Sequence, residues 1–201
     1  MATTSIGAPG VTFPDASVQS TANTVTNVPI LQVYTTPGTW TKPSTVKAIK
    51  VTVVGSGGTG GRNPVPGTPL AGGGGGGGGG SVRNYPAPSL PGPQPYTVGA
   101  AVTQSGTNGA SGNSSSFGVA PVTVITGTGG SGGGPGGGGG GSGSGGNLNA
   151  DGVNGGYLIQ IVPQLLSKDG VGGGTLLGGI GRGGNGQANG VVGTVIVEEF
   201  Y

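Results

Sequence analysis

Apolar residues in this chain gather into a few short runs, and between them lie long stretches with no side chains at all. In "KAIKVTVV", residues 47–54, Ile49, Val51 and Val53 alternate with Ala48, Lys50 and Thr52. That period of two predicts a half-buried antiparallel strand. The closing run "GTVIVEEFY", residues 193–201, places Val195, Val197 and Tyr201 on one face and Ile196 and Phe200 on the other, a strand that needs cover on both sides. Pairing of these two strands would bring the ends of the intervening region together. Thr36-Pro37-Gly38 and Lys42-Pro43 read as turns, and Trp40, the single tryptophan, is expected to cap the small core. "APVTVIT" and "GYLIQIVPQLL" are further strand-like runs. Residues 1–33 form a polar lead. In it "GVTFPDASVQSTA" predicts alternation of Val11 and Phe13, a turn at Pro14-Asp15-Ala16, and then a Ser/Thr/Gln strand that includes Val18. Such a segment buries too little to fold alone. Val11, Phe13 and Val18 are therefore candidates for attachment or oligomerisation.

Composition changes the picture of what lies between the strands. Glycine supplies 54 of 201 residues, and charged residues only 6 %. The glycines come in blocks, roughly 55–61, 72–80, 127–146 and 178–190, rather than at every third position, which excludes collagen. Nine consecutive glycines, 72–80, can be a slack tether with a reach of about 15–18 Å. They can equally be a three-fold polyglycine-II rod of about 28 Å whose backbone groups all point outward to neighbouring rods. A tether has no reason to recur between short strands, and the other letters within the blocks are small or turn-forming. The lattice reading is therefore preferred. The expected fold is mainly β with little or no helix: short antiparallel strands clamping a polyglycine-II lattice over residues 34–201, preceded by an extended N-terminal arm, residues 1–33.

Candidate chemistry is sparse. Cysteine and histidine are absent, which removes the common nucleophile–base pairs and most transition-metal sites. Of five carboxylates, Asp151 and Asp169 sit beside glycines as turn residues, and Glu198 and Glu199, adjacent in a strand, face opposite ways. No Gly-Lys pair supports a phosphate loop. Neither an enzyme, a cofactor nor a metal site is expected. The net charge is +2 with scattered basic residues, so no nucleic-acid footprint is visible. No apolar run reaches the length of a membrane span and no secretory signal opens the chain, so synthesis in a cytoplasm is expected.

Taken in order, "PGTWTKPSTVKAIKVTVVGSGGTGG", "YTVGAAVTQSGTNGASGNSSSFG" and "GGNGQANGVVGTVIVEEF" resemble the glycine-rich domain of bacteriophage tail-fibre, tail-tip adhesin and minor tail proteins. The shared pattern is a Trp in a turn, a strand running into polyglycine, a Ser-Ser-Phe-Gly element and a final Val-Ile strand. The resemblance implies a virion protein, partnered by other fibre or baseplate proteins and by a host surface glycan or protein, and a homotrimer. It also implies contact loops at Arg62–Ala71, Ser81–Tyr96 and Asn147–Gly156, in which Arg62, Arg83, Tyr85 and Tyr96 are the side chains suited to a receptor. The alternative is an adaptor or decoration protein of tail, baseplate or capsid without receptor contact.

Overall fold

The structure, a computed structural model, describes residues 5–7, 10–12, 18–19, 28–61, 72–105, 107–134, 137–156, 159–161, 166–168, 173–175, 177–185 and 188–201. In chain order the strands are β1 (Ser5–Gly7), β2 (Gly10–Thr12), β3 (Val18–Gln19), β4 (Ile30–Tyr34), β5 (Gly38–Trp40), β6 (Ala48–Val54), β7 (Gly80–Pro86) and β8 (Gln94–Thr97). They continue with β9 (Ser115–Phe117), β10 (Ile125–Gly127), β11 (Gly143–Ser144), β12 (Leu148–Ala150), β13 (Ile159–Ile161), β14 (Leu166–Lys168) and β15 (Thr194–Phe200). A single short 3-10 turn, Ala87–Ser89, is the only helical element among the described residues. The fold is mainly β, as expected.

Two five-stranded antiparallel sheets, ordered β12-β7-β6-β15-β4 and β11-β10-β9-β8-β5, face each other. The expected pairing of β6 with β15 is present, in the register Val51↔Val197 and Val53↔Val195. The alternation of these strands aims Ile49, Val51, Val53, Val195 and Val197 inward, against Trp40, Tyr96, Phe117 and Ile125 of the opposite sheet. Trp40 lies 6.2 Å from Phe117, and Tyr85 5.8 Å from it, in tilted aromatic contacts. Residues 30–33, assigned to the arm by sequence, belong to the body. In β4, Gln32 pairs with Val197 and Tyr34 with Val195, so this strand completes the edge of the first sheet. In the lead, β2 and β3 pair antiparallel, with Val11 opposite Gln19 and Thr12 opposite Val18. Phe13 and the turn lie outside the described residues.

At one end of this sandwich, β6, β7, β9, β10, β11, β12 and β15 run directly into, or emerge from, extended glycine-rich segments. Residues 72–79 are the innermost of these. Their amides turn in threes. Gly74 and Gly77 donate to Gly156 and Val153, Gly75 and Gly78 to Gly184 and Gly181, and Gly76 and Gly79 to Ser131 and Thr128, at 2.8 to 3.1 Å. The carbonyls of Gly73, Gly76 and Gly79 accept from Gly61, Gly58 and Gly55. Those of Gly74 and Gly77 accept from Gly138 and Gly141, and that of Gly75 from Gly173. This is the three-fold bonding of a polyglycine-II rod, enclosed by segments 55–61, 128–134, 137–142, 152–156, 173–174 and 181–184. The packing leaves no room for a side chain: a Cβ on Gly76 would stand 1.9 Å from the Gly139 carbonyl oxygen, and one on Gly75 2.2 Å from that of Gly58.

The perimeter obeys a looser rule. Segment 107–113 is not a glycine block, yet it joins the lattice because Gly109 and Gly112, three apart, share the inward face. Gly152 and Gly155, and Gly190 and Gly193, repeat that spacing. The block at 127–146 is accordingly two rods and a reversal, since Thr128 and Ser131 donate to Ser142 and Gly139 of the returning segment.

Candidate functional site

At a few lattice positions a hydroxyl takes the place of a carbonyl. Ser56 and Thr59, three apart and fully buried, present their oxygens to the amides of Asn113 and Ala110, each at 2.7 Å. Ser115, of the Ser-Ser-Phe-Gly element, donates to the Val54 carbonyl at 2.7 Å and accepts from the Gly99 amide at 2.9 Å. It pins the boundary between sandwich and lattice, while Phe117 two residues on fills the core and Gly118 turns the chain at φ 97.

The lattice has two unlike ends. At the sandwich end, β6 enters at Gly55, beside Gly79 and Thr128. At the far end the neighbours are Gly61 with Gly73, Gly134 with Gly137, Gly74 with Gly156, Gly75 with Gly184, and Gly60 with Ala188. The chain therefore leaves and re-enters the lattice at that one end between 61 and 72, 134 and 137, 156 and 173, and 185 and 188. Conversely, Ile30 pairs with Glu199 at the opposite extremity of the first sheet, so residues 1–27 and Tyr201 join the molecule at the end remote from those crossings.

The predicted contact residues divide between these ends. Arg62 lies outside the described residues, and its neighbour Gly61 is at the far end of the rods. Arg83, Tyr85 and Tyr96 belong to the sandwich. Contrary to the expectation of an exposed loop, Ser81–Pro86 is most of β7, paired with β6 in the register Ile49↔Tyr85. Tyr85 is 3 % and Tyr96 8 % exposed. Both are core residues because their strand positions face the opposite sheet. Tyr96 packs 4.3 Å from Tyr34 and closes over Gly38, while the Tyr85 hydroxyl donates to the Thr123 carbonyl at 2.7 Å. Burial raises the Tyr85 hydroxyl to about 12, against a lesser lowering by the nearby Arg83 charge. Asn147–Gly156, the third expected loop, is largely β12 and a perimeter rod.

Of the three described, Arg83 alone keeps a surface. Its guanidinium donates to the Gly145 carbonyl at 2.7 Å and lies 5.6 Å from the Tyr85 ring centroid. It borders a cleft of about 300 Å³ whose wall includes Asn84, Ser89, Pro121 and Thr123. The cleft offers hydrogen-bond donors and one cation, and none of its lining residues is a carboxylate. Val11 and Val18 lie in the lead's β2 and β3.

Sequence reasoning passed over one side-chain cluster. Glu199 shares the inward face of β15 and is 1 % exposed. Its carboxylate accepts from Trp40 Nε1 and Gln32 Nε2, each at 2.7 Å, and from the Tyr201 hydroxyl at 2.7 Å. These bonds satisfy a buried charge and raise the Tyr201 hydroxyl, chiefly through its hydrogen bond to Glu199. The available signal was the strand period itself, which puts Glu199 with Val195 and Val197. Glu198, on the outer face as expected, pairs with Lys50 at 2.8 Å.

The glycine-rich domain family model matches residues 33–198. The chain belongs to that family. The matched span runs from β4 almost to the end of β15, so this glycine-rich domain comprises the sandwich and the lattice together. No curated protein matches the chain.

Proposed function

We propose that this glycine-rich domain protein is a non-enzymatic component of a bacteriophage particle, a tail-fibre or fibre-tip subunit that holds host-contacting segments at the end of a rigid prism. The observation that supports this reading is the polarity of the body. The chain enters from residues 1–27 at one extremity, and the rod crossings gather at the other. Between them stands a lattice about 20 Å deep, seven residues at about 3.1 Å each, bonded through its backbone. Such a body separates attachment from display and resists bending. Residues 1–27, with Val11, Phe13 and Val18, would join it to other virion proteins. The segments that leave the rods, including 62–71 with Arg62, would meet a glycan or protein on the host surface. The burial of Tyr85 and Tyr96 moves the proposed contact away from 81–96.

The test is binding of the purified protein to host cells, with folding verified by circular dichroism. Arg62→Ala together with replacement of 63–70 by a Gly-Ser linker of equal length should lower binding at least about tenfold. Arg83→Ala, at the other end, should leave it unchanged. Folded wild-type protein that binds no susceptible cell would overturn receptor contact and leave the adaptor reading.

A further inference from the structure

Across the outer face of the first sheet runs a row of side chains that the described residues leave open at its two ends and cover in the middle, where Thr52 is 6 % exposed. Val33 of β4 stands opposite Ile196 of β15, Ile196 opposite Thr52 of β6, Thr52 opposite Val82 of β7, and Val82 opposite Leu148 of β12. One line thus crosses all five strands. Val33 is 54 % and Leu148 55 % exposed, and Leu31, on the next outward row, 61 %. On that row Leu31, Glu198, Lys50 and Asn84 are in register, and Phe200, Ala48 and Pro86 form a third. Exposed apolar side chains grouped on one face, here on either side of the polar Glu198, Lys50 and Asn84, mark an interaction surface.

We infer that this face packs against the same face of a second copy of the chain. The charges point to that occupant. The face holds one cation and one anion side by side, Lys50 and Glu198, 2.8 Å apart, so it is neutral and self-complementary. A two-fold axis lying in the interface, parallel to the strands and between β6 and β15, exchanges the two strands. It sets Lys50 against Glu198 of the second copy, and Glu198 against its Lys50. The same operation sets Ile196 against Thr52, Val33 against Val82, and Phe200 against Ala48, a large side chain meeting a smaller or equal one each time. Sheets packed face to face in this way keep their strands within about 30° and lie about 10 Å apart. The four strands that meet a counterpart, β4, β15, β6 and β7, stand about 4.8 Å apart and are at most about 20 Å long; they cover roughly 400 Å² per copy and about 800 Å² for the pair, the size of a weak, reversible association, and β12 lies outside it. The three-fold assembly expected from the resemblance lacks this property, because it would lay the face against a different surface of its neighbour.

Sedimentation equilibrium of the full chain, with circular dichroism to verify folding, tests the inference. The wild type should assemble to twice its 18.7 kDa. Val33→Lys, at an exposed position, should weaken the dimer at least about tenfold. Lys50→Glu and Glu198→Lys should each do the same, since each places like charges across the axis, and the double reversal should restore the wild-type constant to within about threefold. A monomeric or trimeric wild type overturns the inference. So does a dimer indifferent to Val33→Lys, or a double reversal that fails to restore association.

Discussion

The sandwich and the lattice of this glycine-rich domain are built from the same strands and are held together by opposite means. Between the sheets, Trp40, Phe117, Ile49, Ile125 and a row of valines exclude water with their side chains, and the backbone is paired only within each sheet. Among the rods there is almost nothing to exclude, and every direction around residues 72–79 is occupied by another backbone. The first region depends on the area and shape of side chains. The second depends on their absence, because glycine alone lets hydrogen-bonding groups on all three faces of a rod reach a neighbour. Ordering glycine is costly, and a lone rod would not persist. Clamping by strands that are already paired explains why β6, β7 and β15 continue straight into the lattice.

Substitutions break this comparison at different points. The largest effect is expected from Gly76→Ala, whose Cβ would lie 1.9 Å from a carbonyl oxygen held by its own bonds. Loss of about 4 kcal/mol or more, or failure to fold, should appear in chemical denaturation. Gly92→Ala, with nothing within 4 Å of the added carbon, should behave as wild type. In the sandwich, Phe117→Ala should cost about 3–5 kcal/mol through the cavity it leaves, so the smallest addition to the lattice should rival a large deletion from the core. Equal, small effects of Gly76→Ala and Gly92→Ala would show that the rods yield and that the contrast is false.

Smaller changes sharpen it. Ser56→Ala and Thr59→Ala each strip a hydroxyl from the amide of Asn113 or Ala110, and each should cost about 1–3 kcal/mol, the penalty for weakening a buried bond. Amide exchange should quicken at Asn113 and Ala110 before it does in β6. The mildest test is alkaline. The Tyr85 hydroxyl rises from 10.0 to about 12 on folding, so its contribution is complete below pH 10 and is lost as the pH climbs through about 12. Melting temperature should fall across that window, less steeply in Tyr85→Phe, while rod-borne amides titrate nothing.

Much of the sandwich was legible along the chain. The alternation in 47–54 and 193–201 specified which side chains face inward, and the two strands pair as that pattern required. The glycine blocks pointed to rods, since only glycine can fill a position whose every side faces another backbone. Less legible was the perimeter, where a glycine at every third position suffices and 107–113 therefore falls outside the glycine blocks. The contact residues fared worst. The resemblance placed Tyr85 and Tyr96 in a contact loop, yet the register of β7 and β8 turns both into the core. Glu199, which looked like an ordinary strand-end carboxylate, is buried by the same register and holds Trp40.

The sequence by itself determined the class of fold, because periodicity and the lack of side chains are local properties that each segment carries wherever it lies. Which rod became the enclosed one, which end gathered the crossings and which face of the first sheet stayed bare were decided only in three dimensions. A rod's six neighbours come from distant parts of the chain, and burial belongs to the set of contacts rather than to any residue within it.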